Sequence, residues 1–153
     1  MTQKYERILI AIDGSYESEL AVEKGINVAL RNDAELLLTH VIDAHAYQSE
    51  GVFSDYVFDR QEQESADVLA YFEKLAHSKG LTKIKKITEI GNPKTLLAKD
   101  IPIREKADLI MVGATGLNTF ERLLIGSTSE YILRHSKVDM LVVRDSKKTL
   151  QTK

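Results

Sequence analysis

Gly113-Ala114-Thr115-Gly116, followed after nine residues by Gly126-Ser127-Thr128-Ser129-Glu130, stands between an apolar run and a helical pattern. The apolar run, Leu109-Ile110-Met111-Val112, is typical of a buried strand. A strand that ends in glycines and leads into a helix offers backbone N–H groups to an anion. Glycine permits close approach, and the helix start adds the positive end of a dipole. The spacing G-x2-G-x9-G-[ST] therefore indicates a nucleotide-phosphate site.

The same residues allow a purely structural interpretation. Glycine after a parallel strand is common turn chemistry, and Ser127 with Glu130 fits the capping box S-x-x-E. A capping box stabilises a helix in the absence of any ligand. The spacing alone does not specify which phosphate compound would bind, so both interpretations stay open at this point.

Length and composition predict one ordinary globular domain over residues 1–153. Hydrophobic residues make up 43% of the chain, and its net charge of −2 gives no reason to expect a nucleic acid or an acidic membrane as partner. The chain has no cysteine, which excludes disulfides and thiolate metal sites. Its N-terminus lacks the apolar core of a signal peptide, and no apolar run approaches the ~18 residues of a membrane span. We therefore expect a cytoplasmic protein without a membrane anchor.

Strand and helix patterns alternate along the chain. Strands are predicted over residues 7–12, 36–42, 83–90, 108–112 and 138–144, and helices over residues 15–33, 61–79, 92–106 and 127–135. Ser15 and Asn92 are the expected N-caps, with Pro93 at the first helical position. The apolar face of the second helix is predicted to consist of Ala66, Leu69, Ala70, Phe72 and Leu75.

The segment from Asp43 to Asp59 shows no helical or strand period, and we expect a long loop there. It carries four of the ten aromatic residues, Tyr47, Phe53, Tyr56 and Phe58. These rings would either cover a bound base or pack on the sheet, and the sequence does not decide between the two.

The alternation predicts an α/β fold with a five-stranded parallel sheet and right-handed crossovers. The first, second and fourth strands are the most apolar and should be central, whereas the lysine-rich third strand suits an edge. The order 3-2-1-4-5 satisfies this. It places the first and fourth strands side by side where the winding reverses, so that Asp13 and Gly113 converge at the crevice where such sheets bind ligands.

With these motifs the chain resembles the universal stress protein family. The resemblance lies in Ile-Leu-Ile-Ala-Ile-Asp-Gly-Ser from Ile8 to Ser15, in the glycine motif with its continuation to His135, and in Met140-Leu141-Val142-Val143-Arg144. It implies a Rossmann-like domain of the adenine nucleotide alpha hydrolase type, with helices on both faces of the sheet. It also implies a dimer, and the intact glycine motif implies the family's ATP-binding branch.

The resemblance further implies which residues meet ATP. Asp13 would lie near the adenosine and the metal-bound phosphates, with Mg²⁺ as the metal, and the backbone of Val41 would meet the adenine edge. The other implied binding residues are Ala11, Ile12, Val112, Gly113, Gly116, Gly126, Ser127 and Thr128. Many family members carry a basic residue between the first two glycines, where this chain has Ala114 and Thr115. Arg122 would either compensate for that loss or lie on the surface.

Individual residues also have simpler explanations. Asp13 would either close the first strand and prepare the helix, or face phosphates through a divalent cation. Ser15 is interpreted as a cap, and His40 as a neutral side chain with a hydrogen-bond partner. Neither His40 nor His135 has a serine and an acid at the spacing of a catalytic triad.

The leading functional hypothesis is an ATP-binding, dimeric stress-response module whose state another, unidentified protein reads. The alternatives are a slow ATPase or phosphotransferase and a structural dimer with an empty glycine loop. The enzyme is disfavoured because the sequence has no G-x4-G-K-[ST] motif and no lysine in the glycine loop. The fifth strand, Val138 to Arg144, is apolar although it lies at a sheet edge, which predicts a homodimer through that strand.

Overall fold

The computed structural model describes residues 4–45, 55–114 and 125–145. Its strands are β1 (Arg7–Ala11), β2 (Glu35–Asp43), β3 (Ile84–Gly91), β4 (Leu109–Gly113) and β5 (Asp139–Val143). Its helices are α1 (Tyr16–Asn32), α2 (Asp55–Ser78), α3 (residues 93–105) and α4 (Ser127–His135). The five strands form one parallel sheet in the order β3-β2-β1-β4-β5. The predicted α/β fold and strand order are therefore confirmed.

Helices cover both faces of the sheet, and each face has its own apolar core. One core joins α1 and α2 to the sheet through buried residues that include Ile8, Ile10, Val22, Ile26, Leu36, Leu38, Leu69 and Phe72. The other joins α3 and α4 to the opposite face through Leu9, Leu37, Leu97, Ile101, Ile110, Val112 and Ile132. Consecutive strand residues alternate between the two cores, so the middle of each central strand is an unbroken apolar run, as in Ile8-Leu9-Ile10 and Leu36-Leu37-Leu38.

The ends of α1 and the start of α3 follow the sequence signals. The Ser15 hydroxyl caps α1, and Asp33 ends it in the left-handed conformation. The Asn92 side chain caps α3, which contains a π-helical turn at Leu96–Asp100. This wide turn directly precedes Pro102, whose ring would clash with the carbonyl of residue 98 in a regular α-helix.

The second helix differs from the prediction in two respects. It begins at Asp55, so the expectation of a loop through Asp59 is wrong for its last five residues, and β2 already includes Asp43. Ala66 and Ala70 are exposed, which corrects their assignment to the apolar face. The buried face instead follows Ser65, Leu69, Phe72 and Ala76, which repeat at intervals of four, three and four residues.

The charged third strand lies at the sheet edge, as predicted. Lys85 contacts Glu105 at 2.6 Å, and Lys86 contacts Glu73 at 3.1 Å, so both lysines bind carboxylates on neighbouring helices. Within the described residues, none of the helices combines the length and the apolar character that crossing a membrane requires.

Candidate functional site

The strands β1 and β4 separate at their carboxyl ends and leave a crevice at the point where the winding reverses. Their pairing is recorded from Ile8 with Leu109 to Ile10 with Met111. Beyond it, β4 continues to Gly113 alongside β5, while β1 turns into the start of α1. Two segments a hundred residues apart in the chain thus meet at one edge, as the strand order predicts.

The turn between β1 and α1 is held by its own side chains. Asp13 accepts a hydrogen bond from the Ser15 N–H at 2.9 Å, and Gly14 has a φ of +85°. Ser15 accepts the Ser18 N–H at 3.1 Å, and the Ser18 hydroxyl donates to the Ser15 carbonyl at 2.9 Å. The interpretation of Ser15 as a cap is confirmed. Asp13 prepares the helix, yet it stays exposed, so its carboxylate is accessible from the crevice.

The backbone of Val41 lies beyond the last paired residue of β1. The pairing of β1 with β2 ends where the Ile12 N–H donates to the Thr39 carbonyl at 2.8 Å. Backbone groups of a strand alternate between its two neighbours, so Val41 presents its N–H and C=O on the same side as Thr39. This side opens onto the crevice, and a planar ring placed there would meet one donor and one acceptor.

Gly113 has a packing role that the sequence did not reveal. A Cβ atom at this position would lie 2.8 Å from the Glu17 carbonyl carbon and 2.9 Å from the Ser18 nitrogen. Those atoms belong to the first turn of α1, which approaches the end of β4 because glycine has no side chain. The glycine sets the width of the crevice floor, whether or not a ligand binds.

Three hydrogen bonds fix the two ends of the glycine loop, which we call the loop root. The Ala114 N–H donates to the Val143 carbonyl at 2.8 Å, and the Gly126 N–H donates to the Ala114 carbonyl at 2.7 Å. The buried Ser129 hydroxyl donates to the Gly113 carbonyl at 3.0 Å. The root therefore ties β4, β5 and α4 together at the crevice, using Ala114 and Ser129, to which the sequence had assigned no role.

The start of α4 has no side-chain cap. Its N-cap is Gly126 with extended backbone, and Ser127 is the first helical residue, so the capping-box interpretation of Ser127 and Glu130 is wrong. Glu130 pairs with Arg134 at 2.9 Å instead. In the part of the chain that the structure describes, the N–H groups of Ser127 and Thr128 have no acceptor. Relative to the described residues, the helix thus presents unpaired donors and the positive end of its dipole beside the crevice.

A chain of polar side chains crosses the α2 face near Asp13. The Nδ1 atom of His40 lies 2.8 Å from the Ser65 hydroxyl, which lies 2.9 Å from the Thr88 hydroxyl. Burial lowers the pKa of His40 below its ordinary value, and the charge of Asp13 acts in the opposite direction. His40 is therefore a neutral, hydrogen-bonded side chain, as interpreted from the sequence.

Most of the predicted site residues meet at the crevice. The described ones are Ala11, Ile12, Asp13, Val41, Val112, Gly113, Gly126, Ser127 and Thr128, all at the carboxyl ends of β1, β2 and β4 or at the start of α4. Gly116, Thr115 and Arg122 lie outside the described residues, as do Tyr47 and Phe53. Tyr56 is 72% exposed, so this ring of the aromatic segment does not pack on the sheet.

No group of three or more His, Asp or Glu side chains able to hold a metal ion occurs among the described residues. Asp13 is an exposed carboxylate at the mouth of the crevice, between the end of β1 and the start of α1. One carboxylate suits Mg²⁺ that is bound chiefly by phosphates, because this ion usually combines one or two carboxylates with substrate oxygens and water. The donor set therefore fits a magnesium nucleotide better than a metal held by protein alone.

Residues 4–144 match the model of the Universal stress protein family, and the chain belongs to that family. A putative universal stress protein of Staphylococcus saprophyticus is 42% identical over 140 residues, which cover 92% of this chain and 84% of that protein.

Two solved structures of universal stress proteins share the fold of this chain. Universal stress protein UspA from Lactobacillus plantarum aligns with a TM-score of 0.83 at 25% identity, covering 94% of this chain and all of its own. A universal stress protein in complex with cAMP aligns with a TM-score of 0.66 at 26% identity, covering 92% of this chain and 98% of its own.

Proposed function

We propose that this protein binds ATP with Mg²⁺ in the crevice between β1 and β4 and acts as a nucleotide-dependent stress-response module. The observation that carries the proposal is the start of α4, where the N–H groups of Ser127 and Thr128 have no acceptor among the described residues and lie beside the loop root. Free donors at a helix start form an anion site. Two findings support the phosphate of an adenine nucleotide as the bound anion: the chain belongs to the universal stress protein family, and a similar universal stress protein is in complex with cAMP.

In this proposal, different residues contact the phosphates, the metal ion, the ribose and the base of the nucleotide. Ser127 and Thr128 donate backbone N–H groups to the phosphates, with Gly113, Gly126 and Gly116 allowing close approach of the chain. Asp13 holds Mg²⁺ against the phosphate oxygens. Ala11, Ile12 and Val112, at the ends of the central strands, border the ribose and the base.

The backbone of Val41 supplies the preference for adenine. Its carbonyl accepts a hydrogen bond from the adenine amino group, and its N–H donates to the neighbouring ring nitrogen. Guanine has an acceptor where adenine has its amino donor, and a donor where adenine has its ring-nitrogen acceptor. The Val41 C=O would therefore face another acceptor, and the Val41 N–H would face another donor. An unsatisfied pair of this kind costs about 1–3 kcal/mol per group, so GTP should bind more weakly.

A binding module is favoured over a phosphotransferase by the residues of the crevice. The described crevice residues include no lysine or arginine, and the whole sequence has no G-x4-G-K-[ST] motif. Slow hydrolysis of ATP is the second candidate. A cytoplasmic location belongs to the proposal and is supported by a sequence without cysteine.

We also propose that two copies pair through β5. This strand lies at the sheet edge, and Met140, Leu141 and Val142 are only partly buried. Val143 bonds to β4, so the alternating backbone groups of Met140 and Val142 face the open edge. A two-fold axis would pair these groups with the same groups of a second copy and close the edge.

The test is isothermal titration calorimetry of nucleotide-free protein with ATP and GTP, with and without Mg²⁺. We expect ATP to bind, Mg²⁺ to strengthen binding, and GTP to bind at least tenfold more weakly. Mass analysis of the small molecule released by the denatured, freshly purified protein gives an independent answer.

Gly126→Val supplies the matched variant. The φ of −74° at Gly126 suits any residue, so circular dichroism should match the parent while a branched side chain blocks the phosphates. Equal affinity of Gly126→Val and the parent for ATP, or no heat with ATP up to millimolar concentration, would show that the crevice is not a nucleotide site.

A further inference from the structure

We propose that a groove between the start of α1 and the middle of α2 binds a basic, amphipathic segment of a partner protein. The groove has a volume of about 310 Å³. It is lined by Gly14, Ser18 and Glu19 on one side and by Asp67, Val68, Tyr71 and Phe72 on the other. It lies on the α2 face of the sheet, so it is a different surface from the proposed β5 interface.

The interior of the groove is apolar and built to receive a side chain. Phe72 is 4% exposed and forms the floor, with its ring 5.3 Å from that of Tyr71 in an edge-to-face arrangement. Tyr71 and Val68 remain 64% and 39% exposed beside it. These adjacent exposed side chains offer an apolar contact beside the cavity, and the volume suits one or two large apolar side chains of a partner.

The rim of the groove is acidic on both sides. Glu19 on α1 and Asp67 on α2 are exposed, and no lysine or arginine of the described residues lines the groove. Among the ion pairs of the described residues neither carboxylate takes part, although Asp67 accepts the Gln63 amide at 3.0 Å. A partner with a large apolar side chain between two cationic ones matches this arrangement, since complementary charge fixes orientation and speeds association.

The same charges disfavour the other occupants. Two copies of the chain that paired groove to groove would bring acidic rims together, because a two-fold contact joins identical surfaces. Nucleic acid is repelled by the carboxylates. A lysine- or arginine-bearing peptide is the occupant that the rim attracts.

The groove shares its wall with the turn that carries Asp13. Gly14 lies in both, and Ser18 lines the groove while its N–H and hydroxyl bind Ser15. A ligand that shifts this turn therefore changes the groove, and the partner senses whether the crevice is occupied. Only this coupling rests on the proposed ATP binding. The docking of the segment does not.

The probe is a fluorescein-labelled peptide of twelve residues, with leucine and phenylalanine at positions i, i+3, i+4 and i+7 of a helix and lysine elsewhere. Fluorescence anisotropy on the full chain should show saturable binding that weakens as salt is raised. Tyr71→Ser, and Glu19→Gln combined with Asp67→Asn, should each weaken binding at least tenfold.

Matched controls lie outside the groove. Tyr56→Ser removes an equally exposed ring of the same helix, and Glu6→Gln combined with Glu62→Gln changes the net charge equally. These variants should bind within twofold of the parent, and the same peptide with glutamate for lysine should not bind. No saturation with the lysine peptide, or groove variants that bind it like the controls, overturns the docking proposal. A change in the molecular mass of Tyr71→Ser, measured by light scattering, also overturns the docking proposal, because the groove would then bind a second copy of the chain.

Coupling is measured by repeating the titration with saturating Mg-ATP, which should change the peptide's Kd at least threefold. The peptide must then change the Kd of ATP by the same factor, because coupling is reciprocal. An unchanged Kd in protein that calorimetry shows to bind ATP refutes the coupling. Peptide binding by a protein that takes up no ATP refutes the proposed function and leaves the docking surface standing.

Discussion

Gly113→Ala tests whether the glycine at the end of β4 serves the fold as well as the ligand. The added Cβ would lie 2.8–2.9 Å from backbone atoms of Glu17 and Ser18, closer than real Cβ contacts. Backbone of a packed helix cannot move aside cheaply, and overpacking of this kind costs about 1–3 kcal/mol. For a chain of this size we expect the melting temperature to fall by about 2–4 °C for each kcal/mol. Urea denaturation and thermal melting of nucleotide-free protein measure both quantities.

Gly91→Ala is the matched control for this substitution. Its Cβ would lie at a similar distance, 2.9 Å, from Leu96 Cδ1, which is the far end of a flexible side chain. Rotation of that side chain costs about 0.5–1.5 kcal/mol, so this variant should be the more stable of the two. If Gly113→Ala is as stable as the parent or as Gly91→Ala, our account of how β4 meets α1 is wrong.

Three further predictions follow from the site and the sheet edge. Ser127→Ala should leave the free energy of unfolding within about 0.5 kcal/mol of the parent, because Ser127 is not the N-cap. If urea denaturation shows a loss of stability near 1 kcal/mol, Ser127 acts as a cap after all. Burial lowers the pKa of His40 below its ordinary value of 6.5, so the unfolded chain gains a proton before the folded one, and stability should fall as the pH drops below 6.5. His40→Gln should flatten this dependence in denaturation curves between pH 7 and pH 5, and an unchanged slope would contradict it. Val142→Pro should convert the proposed dimer to monomers without unfolding the chain, because the Val142 N–H faces the open edge of the sheet. Leu141→Pro should in addition break the ladder between β5 and β4. Light scattering measures the mass, and a parent protein that is monomeric at tens of micromolar would refute the dimer.

The sheet order could be predicted because it depends on the polarity of whole strands. The most apolar strands should be central, and the lysines of β3 suit an edge. That Asp13 and Gly113 lie at the carboxyl ends of neighbouring strands follows from that order and the switch-point rule.

Other features depend on contacts between distant residues, which a single sequence does not show. Ser65 is buried because His40 and Thr88, which lie on two different strands, form hydrogen bonds with its hydroxyl. The sequence around Ser65 gives no signal that predicts these two hydrogen bonds. The cap of α4 was misplaced by one residue because both Gly126 and Ser127 are acceptable N-caps. The Glu130 N–H donates to the Gly126 carbonyl at 2.9 Å, and this bond makes Gly126 the N-cap.

The three hydrogen bonds of the loop root join residues that lie on either side of residues 115–124, through the carbonyls of Gly113, Ala114 and Val143 and the Ser129 hydroxyl. Natural selection can therefore vary that stretch while the surrounding architecture is retained. Relatives that differ in nucleotide preference would then need few compensating changes elsewhere. For the protein engineer, the same property makes Ala114 and Gly126 suitable junctions for grafting foreign loops onto this scaffold.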